Sequence, residues 1–136
     1  RKRPDMQLPD GIDAGDLVLF NRQCLKMSPF GAAVCFSAKL YCASKWDHVG
    51  IVVRDPDGSL HILDAGFGGV RKYPLLERLR RSKSDDICFR RLAVPRTNEM
   101  RQQLIDFTTE VVQAPYKKDT LEFLRILKTP NKAEAE

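Results

Sequence analysis

Trp46-Asp47-His48-Val49-Gly50-Ile51-Val52-Val53, then Asp55-Pro56-Asp57-Gly58, then Ile62-Leu63-Asp64-Ala65-Gly66 is the stretch on which the fold turns. Two short apolar runs flank a Pro- and Gly-bearing turn signal, the pattern of a β-hairpin. The first run opens with a histidine, and the second carries a single carboxylate among apolar neighbours. A three-residue loop of Asp55, Pro56 and Asp57 would pair Arg54 with Gly58 and set His48 directly opposite Asp64. Cross-strand Cβ atoms lie ~5 Å apart, close enough for a carboxylate to hold an imidazole. His48 and Asp64 are therefore the candidate catalytic residues, as base and orienting acid.

Working outward, Gly11 to Asp16 reads as a turn into a buried strand, Leu17-Val18-Leu19-Phe20. From Ser28 to Cys42 the chain is small and apolar, suited to a tightly packed helix or helical loop over the sheet. After the hairpin, Val70 to Leu75 suits a short returning strand, and residues 75–82 a helix with Leu75, Leu76 and Leu79 inward. Asp86 to Leu92 reads as a strand with Ile87 and Phe89 on one face. Thr97 is the expected cap of a helix from Asn98 to Gln113, with Met100, Leu104, Phe107 and Val111 as its stripe and Pro115 at its end. A further helix is expected over 119–128. Strands and helices in this order define an α+β domain.

Composition bounds the rest. With 136 residues, 43% hydrophobic and 30% charged, the chain suits one soluble domain with a single core. No apolar run approaches the ~20 residues of a membrane span. The net charge of +5 is gathered partly in Arg1-Lys2-Arg3, Arg78 to Arg81 and Arg90-Arg91. A solvated basic surface is the plain reading; contact with nucleic acid or anionic lipid is the alternative, without a supporting aromatic-basic motif. Arg1 at the start, and the uncapped charged run Lys132 to Glu136, are expected for a piece of a longer polypeptide.

The four cysteines, Cys24, Cys35, Cys42 and Cys88, match no zinc-site spacing, and no metal or cofactor is expected. Their apolar settings favour reduced thiols and an intracellular protein. Cys42, six residues before His48, is the first candidate for an internal nucleophile; Cys24 and Cys35 rank lower, and Cys88 suits the core. His61 alternates away from Asp64 and suits a structural or surface role. Asp47 suits a turn or cap, and Trp46 either walls a groove or packs. Gly66, Gly68 and Gly69 lack phosphate-loop spacing.

Gly15-Asp16 with its strand, Asp47-His48-Val49-Gly50, Leu63-Asp64-Ala65, and Gly69-Val70 with Pro74-Leu75 together resemble the circularly permuted NlpC/P60 papain-like superfamily, nearest its YiiX/YaeF-like group. The resemblance covers roughly residues 11–118, and its His-Val-Gly followed by acid-Ala is the specific part. It implies a papain-like antiparallel sheet or small barrel packed against helices, over residues 11–128. A basic arm would precede it at 1–10 and a charged tail follow at 129–136. It also implies that His48 is the general base and that Asp64, where comparable members carry Glu, is its orienter. The nucleophile implied is a cysteine at a C-terminal helix start, after a segment like Ala114 to Asp119; no cysteine follows Cys88 in this sequence. The implied function is a thiol hydrolase or acyltransferase acting on an amide or acyl ester, with its cysteine outside this chain. The alternative is an inactive papain-like domain that binds protein partners within a larger assembly.

Overall fold

The computed structural model describes residues 5–66 and 68–114. Among these, the order is β1 (Leu17–Arg22), a 3-10 turn (Cys24–Lys26), α1 (Pro29–Tyr41), β2 (His48–Arg54), β3 (Leu60–Gly66), β4 (Gly69–Pro74), α2 (Leu75–Arg81), β5 (Ser84–Arg90) and α3 (Asn98–Val111). The five strands form one antiparallel sheet in the order β4-β3-β2-β1-β5. Three helices accompany it, so the α+β class stands. Among the described residues β4 and β5 are the outer strands of this sheet.

The β2–β3 hairpin forms, with a corrected register. Arg54 pairs with Leu60, not Gly58, and Gly50 stands opposite Asp64. The loop is Pro56-Asp57-Gly58: the Gly58 amide donates to the Asp55 carbonyl at 2.8 Å and the Asp55 amide to the Ser59 carbonyl at 3.0 Å. Gly58 has φ +85°, the left-handed position of a three-residue hairpin loop, which glycine adopts without the steric cost a Cβ brings. That need draws Gly58 out of the strand and into the turn. The pairing shifts by two residues, so His48 and Asp64 keep a common face and meet on the diagonal.

Register also locates the core. Val18, Phe20, Val52 and Ile62 project from one face, by the pairings Val18↔Gly50, Phe20↔His48 and Val52↔Ile62. Leu75 and Leu79 of α2 complete the cluster with Ile12. Each fully buried leucine contributes about 1.5–3 kcal/mol. His48 and Asp64 lie at the end of this same face, so the core is the floor from which the site rises. Met6 and Leu8 of the N-terminal arm pack against it as well, a contact not foreseen for residues 1–10.

The Gly-Asp turn is a brace. Asp16 is fully buried, accepting from the Asp13 amide at 3.0 Å, the Leu92 amide at 2.8 Å and the Arg96 guanidinium. Asp13 receives Arg54 and both terminal nitrogens of Arg101. The Arg101 hydrogen bonds, with Arg54 behind them, hold the Asp13 carboxyl well below the ordinary carboxylate range.

Several expectations are corrected in detail. β5 spans Ser84–Arg90, not 86–92, with Ile87 and Phe89 packed on the core as expected. Leu76 is only partly buried, unlike Leu75 and Leu79. Thr97 caps α3 through the Met100 amide at 3.1 Å, but the helix stops at Val111. Gln113 takes φ +72° and donates to the Val70 carbonyl at 2.7 Å. Met100, Leu104 and Val111 are partly buried as the stripe expects, but Phe107 is 50% exposed and Thr108 takes its place on the buried face. Pro115, Tyr116 and the helix expected over 119–128 lie outside the described residues. α1 packs mainly on the 3-10 turn rather than over the sheet, and Phe30, Phe36 and Leu40 stay exposed. Cys24 and Cys35 form a disulfide, with Cα atoms 5.5 Å apart, in place of two expected thiols. The 3-10 turn doubles the chain back so that the first turns of α1 present Cys35 to Cys24.

Candidate active site

Phe20, with no exposed surface, is the base of the site. Its ring lies 5.6 Å from the His48 ring and 4.9 Å from the Arg78 guanidinium. His48 is the first residue of β2 and Asp64 the fifth of β3. Their side chains meet: His48 Nε2 contacts Asp64 Oδ1. Side-chain exposures of 13% for His48 and 8% for Asp64 place the pair partly under the surface, where water competes weakly for the bond. The aspartate side chain is long enough to reach the imidazole across the diagonal.

The other carboxylate oxygen has a partner absent from the sequence reading. Arg78 of α2 donates through Nε to Asp64 Oδ2 at 2.8 Å, and its Nη2 lies 2.8 Å from the same oxygen. Burial alone would raise the Asp64 carboxyl. The His48 hydrogen bond and charge, followed by the Arg78 guanidinium, outweigh it and hold the group below the ordinary carboxylate value. Asp64 is thus an anion gripped at both oxygens. An ionised carboxylate only accepts, so Nε2 donates to it, and Nδ1 is the ring nitrogen left to exchange a proton.

In the sequence Arg78 reads as part of a solvated basic cluster. Its signal was available: it sits between inward Leu75 and Leu79 on a seven-residue helix, and so flanks the buried face. Asp47 is likewise more than a turn residue. Its side chain is fully buried, accepting from the Arg22 amide at 2.7 Å and Arg22 Nε at 2.6 Å, with Lys39 Nζ at 3.6 Å. This anchors the segment entering β2 just before His48. Trp46 is half-buried, with Lys45 Nζ 4.8 Å from its ring, and does not line the cavity. His61 lies on the opposite face, beside Asp55 at 3.4 Å.

These residues surround a cavity of about 200 Å³ lined by Arg22, His48, Asp64, Gly66, Gly68, Gly69, Arg71, Tyr73 and Arg78. The glycines close the β3–β4 hairpin, Gly66 against Gly69. No cysteine lines the cavity among the described residues: Cys24 and Cys35 are bonded, Cys42 is exposed, and Cys88 is on β5. The described residues include no group of three or more His, Cys, Asp or Glu placed to hold a metal. They also include no helix long and apolar enough to cross a membrane.

The family profile described as permuted papain-like amidase enzyme, YaeF/YiiX, C92 family, matches residues 12–122, most of the chain. No curated protein matches the sequence.

Proposed function

The chain belongs to the permuted papain-like amidase family, a family of papain-like hydrolases, and we propose on that premise that His48 and Asp64 are the base and orienting acid of a thiol-dependent acyl-transfer site. The observation that carries the reading is the Asp64 carboxylate. One oxygen holds His48 Nε2 and the other holds Arg78, which leaves Nδ1 to face a reacting group.

The nucleophile assigned by this reading is a cysteine of the polypeptide outside this sequence. Its proton passes to His48 Nδ1, and the thiolate attacks the carbonyl of an amide or ester. The C–N or C–O bond breaks, and the imidazolium returns the proton to the leaving amine or alcohol. Water, or an acceptor amine or alcohol, then resolves the thioester with His48 again as base. Asp64 stabilises the imidazolium at each stage without itself taking a proton. Arg78 keeps Asp64 from turning away.

The four cysteines of this sequence supply a second reading, since no described one lines the cavity: a papain-like domain that has lost catalysis and binds protein partners. One experiment separates the two. The natural polypeptide, sequenced through its C-terminus, is treated with iodoacetamide and an electrophilic acyl probe. The amidase reading expects one cysteine labelled far faster than the rest, and slowed at least tenfold by His48→Ala. Uniformly slow labelling, indifferent to His48, would establish the non-catalytic reading.

A further inference from the structure

The charge around the cavity is lopsided. Three guanidinium groups, Arg22, Arg71 and Arg78, line it with a single carboxylate, Asp64. Two are committed: Arg22 to Asp47 at 2.6 Å and Arg78 to Asp64 at 2.8 Å. Arg71 stands directly opposite Asp64 across β3 and β4, yet both oxygens of that carboxylate are taken by His48 and Arg78. The bond recorded for Arg71 is to the Gly68 carbonyl at 3.4 Å, and among the described residues no carboxylate pairs with it. Lys39 adds another positive charge behind the wall, beside Asp47.

Arginine suits such a place. Its planar fork binds carboxylate or phosphate oxygens in pairs, and the guanidinium stays charged at any working pH. Gly66, Gly68 and Gly69, which carry no side chains, line the cavity beside it. A cavity of about 200 Å³ is several times the ~30 Å³ a water occupies in the liquid. That volume is enough to admit a compact anionic group.

We propose that Arg71 receives a compact anionic group of the substrate, a carboxylate or a phosphate adjoining the scissile amide or ester, and so selects acidic over neutral acyl compounds. This deepens the amidase reading and rests on it for the reaction. The anion site itself rests on the arrangement of charges.

The test reads binding and not turnover, so it stands whether or not the protein is an active amidase. The His48 ring and the Gly66, Gly68 and Gly69 amides are followed by NMR during titration with N-acetylglycine, its neutral counterpart N-acetylglycinamide, and inorganic phosphate. N-acetylglycine or phosphate should shift these signals, with the neutral amide at least tenfold weaker. Arg71→Gln, on an exposed side chain, should weaken the acid tenfold or more; Arg80→Gln, outside the cavity, should not. Stronger binding of N-acetylglycine than of phosphate assigns a carboxylate, and the reverse a phosphate. Equal binding of acid and neutral amide, no binding of either anion, or an unchanged Arg71→Gln titration would overturn the proposal.

Discussion

Gly50 stands directly opposite Asp64 on the β2–β3 pair, which is why His48 reaches the carboxylate along the diagonal. A Cβ at position 50 would come within 2.5 Å of Ile62 Cδ1 and 3.2 Å of the Leu63 carbonyl oxygen. Ile62 is fully buried and cannot swing aside. The Gly in His-Val-Gly therefore keeps the floor of the site flat.

Gly50→Ala should cost about 1–3 kcal/mol through overpacking. Urea unfolding of Gly50→Ala, Ile62→Val and the double variant checks it. The pair should be non-additive, with Ile62→Val returning part of the loss; strict additivity would place the clash elsewhere.

Gly58 isolates a different cost. Its Cβ would meet nothing within 4 Å, but its φ of +85° penalises any side chain. Gly58→Ala should lower stability by about 1 kcal/mol, seen as a shifted urea midpoint at constant slope. Gly58→Asn should recover part of this, since asparagine tolerates the left-handed region best among residues bearing a side chain.

The depressed Asp64 carboxyl carries a pH dependence. Its folded value lies below its unfolded value, so its stabilisation is complete above the unfolded value, ~3.9, and is lost as pH falls through the folded value. Asp13, also depressed, behaves in the same sense. Melting temperature should fall as pH drops below about 4, and Asp64→Asn should flatten that fall while lowering stability at neutral pH. An unchanged slope in Asp64→Asn would show that the pair contributes nothing to the linkage.

Arg78→Met keeps an apolar stem over Phe20 and removes the charge. Stripping one partner from a buried pair leaves the other uncompensated, at about 3–5 kcal/mol when burial is complete. With Arg78 23% exposed, a loss of roughly 1–3 kcal/mol is expected. In the His48-dependent labelling assay the rate should fall, since the carboxylate that orients the imidazole is then held at one oxygen.

The Cys24–Cys35 bridge closes a separation of 11 residues. A loop of this size contributes about 2–3 kcal/mol by the chain-entropy relation. Calorimetry with and without a phosphine reductant should show the corresponding drop in wild type and none in Cys24→Ser/Cys35→Ser. Cys42→Ala should leave the reductant effect in place.

Much of this was legible from local signals. The alternation around His48 and Asp64, the turn residues between them and the Thr97 cap act within a few positions, where backbone chemistry dominates. The sign of the face survived an error in the loop because side-chain alternation has period two: a shift of two residues moves a partner but not a face. Phe107 departs from its stripe because the helical period sets 107 and 108 on either side of the buried line, and packing chooses Thr108. Arg78 and Asp47 were missed because a charged residue reads as solvated until its buried partner is known.

The sequence by itself determined the strands, the hairpin, the face shared by His48 and Asp64, and the α+β class, since each follows from periodicity and turn chemistry along neighbouring residues. Only the tertiary structure decided the register that sets Gly50 against Asp64, the Arg78 that grips the carboxylate's second oxygen, the Cys24–Cys35 bridge, and the place of Arg71 in the cavity lining. Those depend on residues on different elements meeting in space, and a charge finds its partner there by geometry and not by spacing.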